Sequence, residues 1–379
     1  MKSMVPETEE ELSEVIAVAQ APLRIIGGGT RPVGQVVTGE TLSTAGISGI
    51  VDYEPGALTI VARAGTPVAE IEAALAGEGQ RLPFEPMDHR GLLGTKGEPT
   101  IGGVVAANVS GPRRIAVGAC RDFLLGVRFV DGMGRVLKNG GRVMKNVTGY
   151  DLVKLLAGSR GTLGVLSEVS FKVLPRPDTV ATLIWYGLGW TAAARLFADA
   201  LGSPYEVTGA ARLPGDNEGG QSKVLIRIEG FEKSVTYRAE QLVSVSTTVG
   251  KPDHIETNPA QNRALWEAVR DVAPFHGKEG AVWRSSVKPS DMIAVTGDWE
   301  AKHVADWGGG LIWTQTDEAR DVRARLLGIG GHATLIRASD AAKERFGVFQ
   351  PEPVAIQKIS QGLRDKFDPR GILNPGLMG

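Results

Sequence analysis

Three glycine-rich segments lie in the first half of the chain, each beside a run of apolar residues. They are residues 27–30 (GGGT), 100–103 (TIGG) and 161–165 (GTLGV). Because glycine has no Cβ, backbone N–H groups at such segments turn outward and the main chain approaches a ligand closely. Together the three segments predict a site for a long, flat, anionic cofactor, such as a dinucleotide.

The first segment does not match the commoner nucleotide-binding motifs. A Rossmann fingerprint is disfavoured, because Pro32 and Val33 fill the downstream positions and no acidic ribose partner follows a strand at the expected distance. The sequence pattern of a P-loop does not occur either. Taken alone, residues 27–30 also fit a hairpin turn, and residues 100–108 fit a tightly packed helix or strand entry. The prediction therefore depends on all three segments.

The charge balance excludes two classes of partner. Lysine and arginine number 42 against 43 aspartates and glutamates, a net charge of −1, which provides no field for nucleic acid and no polybasic attraction to a membrane. The acidic segment 7–11 and the lack of about 18 consecutive apolar residues predict neither a signal peptide nor a membrane span. We expect a cytoplasmic protein that binds a small molecule or another protein, with membrane attachment only through partner subunits.

Length and cysteine content set two further bounds. With 379 residues, 42% of them hydrophobic, two domains are expected. Cys120 is the single cysteine, which forbids an internal disulfide and any iron–sulfur cluster built from this chain alone. Five tryptophans lie close together in the sequence, a density that fits either a core or a binding interface. They are Trp266, Trp283, Trp299, Trp307 and Trp313.

Periodicity and turn signals predict alternating helices and strands, an α+β organisation. Apolar residues at helical spacing predict a helix over 9–19 with Thr8 as N-cap, and Thr66 is predicted to cap a second helix. Residues 175–177 (PRP) predict a linker, with a second domain beginning near Thr179. Strands are expected at 23–26, 58–61, 123–130, 135–137, 165–174 and 224–228, and a short helix at 150–156.

The order of motifs along the first half resembles the FAD-binding domain of the para-cresol methylhydroxylase and vanillyl-alcohol oxidase type. The segments that carry this resemblance are 27–30, 52–55, 64–67, 82–86, 100–103, 110–114, 121–127, 145–151 and 161–165. Within that type, segments 110–114 (SGPRR) and 145–151 (KNVTGYD) are similar to the FAD-binding E subunits of bacterial glycolate oxidases. Segments 307–311, 330–335 and 368–376 extend the similarity nearly to the end of the chain.

The resemblance implies a fold and a cofactor. The fold is an α+β, two-subdomain FAD-binding domain over 1–177, a smaller α+β cap or interface domain over 178–340, and a C-terminal segment, 341–379, that returns to the FAD domain. Some members of the wider family attach the flavin through a histidine in the first loop, where this chain has Thr30, so noncovalent FAD is implied. Cys120 is an alternative covalent anchor, although its position favours packing.

The resemblance also assigns cofactor-binding residues. The pyrophosphate would contact the first loop, the ribityl and phosphate path would follow the second loop, and the adenosine half or flavin edge would lie on the third. Pro86 joins this predicted site, and Asn374 would return to the flavin from the C-terminal segment. The residues of the three loops are Gly27, Gly28, Gly29, Thr30 and Gly34; Ile101, Gly102, Gly103 and Asn108; and Gly161, Gly164 and Val165.

Oxidation of a 2-hydroxy acid by a flavin requires a cation for the carboxylate and a base for the hydroxyl proton. The candidates are Arg270, Arg284 and His332, of which Arg270 resembles the arginine that related dehydrogenases place after a tryptophan for the substrate carboxylate. Surface ion pairs for the arginines and a structural hydrogen bond for the histidine are the alternatives. The remaining histidines, His89, His254, His276 and His303, show no metal-ligand spacing, so no metal is predicted.

Three functions remain open at this stage. The first is the FAD subunit of a glycolate dehydrogenase complex that acts on glycolate or a similar 2-hydroxy acid, with an iron–sulfur subunit as electron acceptor and a second FAD subunit as partner. The second is a stand-alone FAD-dependent oxidase or dehydrogenase of small 2-hydroxy acids. The third is a flavin-binding scaffold without turnover. The sequence favours the first, because one cysteine supplies no cluster.

We expect the purified chain to bind one FAD noncovalently. Acid precipitation should then release all of the yellow colour into the supernatant, since unfolding removes the contacts that hold the cofactor. Flavin retained in the washed pellet would contradict this prediction and would point to a covalent bond.

Overall fold

A computed structural model describes residues 3–142, 149–215, 219–299 and 301–379. We call residues 3–177 the first domain and residues 178–340 the second domain. The strands, numbered along the chain, are β1 (Ser3–Met4), β2 (Leu23–Ile26), β3 (Glu40–Ser43), β4 (Ile50–Glu54), β5 (Thr59–Arg63), β6 (Gln80–Arg81), β7 (Leu124–Val130), β8 (Val136–Gly140), β9 (Val165–Lys172), β10 (Leu174–Pro175), β11 (Thr179–Tyr186), β12 (Gly209–Leu213), β13 (Lys223–Gly230), β14 (His254–Glu256), β15 (Ala281–Ser286), β16 (Lys302–Asp306), β17 (Leu311–Thr316) and β18 (His332–Arg337).

The helices connect these strands and cover the sheets. They are α1 (Glu9–Val18), α2 (Val68–Gly77), α3 (Arg90–Leu93), α4 (Ile101–Ala106), α5 (Arg114–Val117), α6 (Cys120–Phe123), α7 (Leu152–Leu156), α8 (Trp190–Leu201), α9 (Glu232–Val245), α10 (Pro259–Arg270), α11 (Met292–Thr296), α12 (Asp340–Phe346) and α13 (Val354–Phe367). Within the described ranges, no helix is both long and apolar enough to cross a membrane.

The first domain begins with a small parallel sheet in which β3 lies between β1 and β2. Helix α1 follows the sequence prediction closely: Thr8 caps it by accepting a hydrogen bond from the Glu11 N–H at 3.1 Å. Its apolar stripe buries Leu12 and Ile16 completely, and the helix packs on β7. The capping side chain and the spacing of the apolar residues thus suffice to explain this element.

An antiparallel sheet of five strands, in the order β4-β5-β9-β7-β8, forms the other half of the first domain. Its central strand β9 is predicted by alternation to have one apolar face, but both of its faces are buried, apart from the partly exposed Glu168 and Lys172. Thr66 does not cap α2 as predicted, because Pro67 occupies the N-cap position. The Thr66 hydroxyl donates instead to the carbonyls of Arg63 and Gly49, which fixes the turn that follows β5.

The second domain is built on an antiparallel sheet of eight strands in the order β14-β11-β13-β12-β16-β17-β15-β18. One face packs against α8, α9 and α11, and the other packs against α10 and the first domain. The tryptophans serve these two cores: Trp283 is fully buried on the helical side, whereas Trp266, Trp307 and Trp313 are at most 9% exposed on the other. These four therefore fit the core alternative.

A buried ion cluster joins the two domains. Arg227 on β13 donates two parallel hydrogen bonds of 3.0 Å to the Glu85 carboxylate of the first domain. Glu229, two residues further along the same strand, pairs with Arg113 and, at 3.2 Å, with Arg81. Arg113, Arg227 and Glu229 are at most 5% exposed, so these contacts hold the second sheet in a fixed position over the first domain.

The C-terminal segment returns to the start of the chain. The Leu23 N–H donates to the Ile372 carbonyl at 2.7 Å, and the Asn374 N–H donates to the Leu23 carbonyl at 3.0 Å. Ile372 and Leu373 are buried in the same core as Leu12. The segment therefore lies beside β2, where Leu373 forms an isolated parallel bridge with Leu23, and the C-terminal segment returns to the first domain as predicted.

Replacing Glu229 by glutamine should lower the free energy of unfolding at pH 7 by about 3 kcal/mol, because it leaves buried arginines without a counter-charge. Burial alone would raise the pKa of Glu229, but the charges of Arg227 and Arg113 outweigh it and hold that pKa well below the ordinary 4.5. The difference should be fully present above pH 4.5 and shrink as the pH falls further.

Urea unfolding of the wild type and E229Q, followed at several pH values, measures this difference. Glu240→Gln, an exposed residue of the neighbouring helix α9, is the matched control and should leave stability unchanged. Equal stability of E229Q and E240Q at pH 7 would contradict the role given to the cluster.

Candidate functional site

The first glycine segment follows directly on β2 and forms a close backbone contact with residues 98–100. A Cβ on Gly28 would lie 1.7 Å from the Glu98 carbonyl oxygen, and one on Gly27 would lie 2.3 Å from the Thr100 hydroxyl. Gly29 has a φ of +71° and open space beside it. The N–H groups of Gly28, Gly29 and Thr30 donate to no acceptor in the described part of the chain, which leaves them available to an anion.

The second segment forms helix α4, which Thr100 caps through its bond with the Gly103 N–H. Gly102 lies against the residue that follows β5, since a Cβ there would come within 2.7 Å of Ala64, and Ile101 is fully buried. These two predicted cofactor residues therefore serve the packing of the first domain. Gly103 is different, because its carbonyl accepts a hydrogen bond from Arg31 at 2.9 Å.

The third segment and the C-terminal segment meet at Asn374. Its side-chain oxygen accepts from the Ile25 N–H at 2.7 Å, and its amide nitrogen donates to the Arg160 carbonyl at 2.8 Å. Asn374 thus fixes the third loop relative to β2, and its amide is already engaged by protein atoms. Gly161, with a φ of +74°, lies beside this amide.

The other predicted cofactor residues stabilise the surrounding loops. Gly34 lies against Leu377, and Gly164 lies against the ring of Phe129. The Asn108 side chain accepts from the Arg121 N–H at 3.1 Å. Val165 and Pro86 are buried. The predicted motif 145–151 lies partly outside the described residues, because 145–148 are not among them.

Four arginines extend from the first loop to the second domain, and we call them the cationic row. They are Arg31, Arg160, Arg284 and Arg114. Burial lowers the pKa of Arg31 and the pKa of Arg284 to about 10 each, and the charge of Arg160 contributes to both shifts. Arg114 lowers the pKa of Arg284 further. None of the four forms an ion pair with a carboxylate among the described residues. Such uncompensated positive charge favours an anionic ligand.

The cationic row contains residues that sequence reasoning missed. Arg31 immediately follows the glycines of the first loop, Arg114 ends the SGPRR segment, and Arg160 precedes Gly161. Each could have been noticed as a cation next to a predicted anion-binding loop. What the sequence does not reveal is that the charges of these arginines act on one another and that none forms an ion pair with a carboxylate of the described residues.

Arg284 and His332 lie on neighbouring strands, β15 and β18, where Arg284 pairs with Thr334 and Ser286 with His332. Alternation therefore places both side chains on the face that packs toward the first domain. The Arg284 guanidinium carbon lies 5.2 Å from the ring centroid of Trp307. Burial, Arg284 and Arg114 lower the pKa of His332, so its imidazole is neutral and able to accept a proton at pH 7.

Arg270 lies elsewhere, in a cavity between the domains that Glu72 and Trp266 also line. Its guanidinium is bound to the Asp271 carboxylate at 2.7 Å. Although burial disfavours its charge, this hydrogen bond and the neighbouring carboxylates raise the pKa of Arg270. Its charge is thus already compensated, which leaves Arg284 as the better candidate for a substrate carboxylate.

The other reactive side chains contribute little to this site. Cys120 is fully buried, and burial raises the pKa of its thiol, which fits a packing role. Across the described ranges, no group of three or more histidine, cysteine, aspartate or glutamate side chains is arranged to hold a metal ion.

Comparison with known proteins gives a family model, related sequences and structures of similar fold. A family model described as FAD binding domain matches residues 3–140. The glycolate oxidase subunit GlcE of Escherichia coli (strain K12) is 38% identical over 97% of this chain and 95% of that protein. The glycolate oxidase subunit GlcD of Bacillus subtilis (strain 168) is 24% identical over 99% and 88%. The structure of p-cresol methylhydroxylase with substrate bound covers 100% of this chain and 88% of its own at a TM-score of 0.71 and 14% identity.

Arg31→Gln should weaken FAD binding about tenfold, because it removes one uncompensated charge beside the first loop. The measurement is the quenching of flavin fluorescence when the apoprotein is titrated with FAD. Arg195→Gln, which removes an exposed arginine of α8, should bind FAD as the wild type does. Unchanged affinity of R31Q would exclude Arg31 from the cofactor site.

Proposed function

We propose that this chain, which belongs to the family of FAD-binding oxidoreductase subunits that includes GlcE of Escherichia coli, is the FAD-carrying subunit of a larger complex. The complex oxidises glycolate or a related small 2-hydroxy acid to the 2-oxo acid. The observation that carries this proposal is the placement of Arg284 and His332 on one face of the second sheet, at the end of the cationic row. A carboxylate-binding cation and a neutral base are the two groups that the reaction requires.

The residues of the first domain fit FAD. The free N–H groups of Gly28, Gly29 and Thr30, together with Arg31, would hold the pyrophosphate noncovalently. Gly27 and Gly28 cannot be replaced by a larger residue without breaking their close contacts, because a Cβ at either position would clash with residues 98–100. When bound, FAD supplies an acceptor for the hydride equivalent that leaves C2 of the hydroxy acid.

The residues of the second domain orient the substrate. The guanidinium of Arg284 binds its carboxylate and thereby fixes the position of C2. The imidazole of His332 accepts the proton of the 2-hydroxyl, for which its lowered pKa keeps it in the unprotonated form. Trp307 and Trp313, both at most 9% exposed, exclude water from the carboxylate end.

We further propose that the electrons leave through other subunits. Cys120 is the single cysteine of the sequence, so an iron–sulfur acceptor would have to be held by a partner chain. The relatives with 38% and 24% identity are both described as glycolate oxidase subunits, which supports an assembly that includes a second FAD subunit. Affinity capture after co-expression with candidate subunits tests the assembly, and a stoichiometric complex more active than its parts is expected.

Glycolate added anaerobically to the FAD-loaded complex should bleach the absorbance of the oxidised flavin, whereas acetate, which lacks the hydroxyl, should not. His332→Gln should slow bleaching about 100-fold, because the proton acceptor is lost. Since the pKa of His332 lies below the ordinary 6.5, the wild-type rate should stay constant as the pH falls through 6.5 and decline only at lower pH.

His254→Gln is the matched control, because His254 lies on the edge strand β14, and its rate should equal the wild-type rate. Absence of bleaching with every 2-hydroxy acid tried, in the chain and in the complex, would refute the proposed reaction and favour a scaffold without turnover. Full turnover by the chain alone with oxygen would instead show a stand-alone oxidase.

A further inference from the structure

Trp307 is held by both domains. Its backbone N–H donates to the Asp306 carboxylate at 2.7 Å, within the turn that follows β16. Its indole N–H donates to the Gly111 carbonyl of the first domain at 3.0 Å. With 9% of its surface exposed, the ring has a fixed position at the domain boundary.

Two arginines of the cationic row contact this ring. The guanidinium carbon of Arg114, from α5 of the first domain, lies 4.6 Å from the ring centroid, and that of Arg284 lies at 5.2 Å. Cation–π contacts orient a guanidinium without consuming its N–H donors. Neither side chain donates a hydrogen bond to a described protein acceptor or pairs with a described carboxylate, so the donors of both remain available.

Two carboxylates influence the pair, Asp122 at Arg114 and Asp306 at Arg284, but neither forms an ion pair with these arginines among the described residues. Asp306 influences Arg284, but its carboxylate already accepts from the Trp307 N–H, and burial raises the pKa of Asp306 to about 7. Two like charges therefore lie against one indole ring, 4.6 and 5.2 Å from its centroid. A small anion bound between them would relieve their repulsion and satisfy their donors at once.

We propose that Arg114 binds the substrate carboxylate together with Arg284, and that Trp307 is the positioning residue that orients both guanidinium groups. This inference rests on the proposed function. It makes the substrate site a joint product of the two domains, because Arg114 belongs to the first domain and Arg284 to the second. The ligand class is a small carboxylate whose anionic end fits between two guanidinium groups.

Oxalate is a suitable probe, since it has the carboxylate of glycolate but no C–H bond that could be oxidised. Isothermal titration of the FAD-loaded chain with oxalate should show Arg114→Gln and Arg284→Gln each weakening affinity at least about tenfold, the change expected for loss of a charge-assisted hydrogen bond. Arg114→Lys should recover part of the loss, because it keeps the charge but not the planar fork.

Trp307 is tested by a pair of variants. Trp307→Phe keeps an aromatic face and should bind oxalate within a few-fold of the wild type, whereas Trp307→Leu removes the face and should weaken binding about tenfold at unchanged FAD content. Should W307L fail to fold, the Arg114 variants decide alone, since Arg114 lies on a short helix with a partly exposed side chain.

Arg325→Gln is the matched control, because Arg325 also contacts a tryptophan, Trp299, at 5.1 Å, yet stands outside the cationic row. It should bind oxalate as the wild type does. Wild-type affinity in R114Q, with weakened binding in R284Q, would overturn the proposal while leaving the proposed function intact. Conversely, normal oxalate binding without flavin bleaching by any 2-hydroxy acid would refute the function and not the carboxylate site.

Discussion

The bidentate pair between Arg227 and Glu85 fixes how the two domains of this protein meet. Two parallel hydrogen bonds define an orientation as well as a distance, and Glu229 on the same strand adds contacts to Arg113 and Arg81. The sheet of the second domain cannot rotate over the first without breaking buried charge pairs. The ion cluster of Arg227, Glu85 and Glu229 therefore also fixes where this sheet places Arg284 relative to the glycine loops.

The sequence predicts the local elements well where a single physical cause determines them. Helix α1 is such a case, since Thr8 and the buried stripe of Leu12 and Ile16 act within one helix. Thr66 shows the limit, because its hydroxyl was available both to a helix cap and to the turn carbonyls of Gly49 and Arg63. The position of Gly49 in the folded domain favours the turn, because its carbonyl accepts a hydrogen bond from the Thr66 hydroxyl.

The candidate site shows the same difference between features that depend on local sequence and features that depend on the tertiary structure. Glycine content identifies three loops, but it does not distinguish a glycine that faces a ligand from one that faces the chain itself. Gly29 has open space beside it, whereas Gly102 lies on Ala64. The cationic row could not be predicted as a group, because its four arginines are far apart in sequence. That none of them forms an ion pair with a carboxylate of the described residues is a property of the folded structure. The family and the fold class predicted from the motif order are confirmed.

The C-terminal strand-like segment has a consequence for how the molecule assembles during synthesis. Strand β2 carries the first glycine loop, yet part of its hydrogen bonding and the fixing of the third loop come from Leu373 and Asn374. More than three hundred residues separate these partners in the chain, so the contact closes a very long loop and forms late. A nascent chain that extends only to the end of the first domain therefore lacks the contacts that fix the third loop relative to β2. The contacts of Leu373 and Asn374 with β2 and with the third loop can form only after the second domain has been translated.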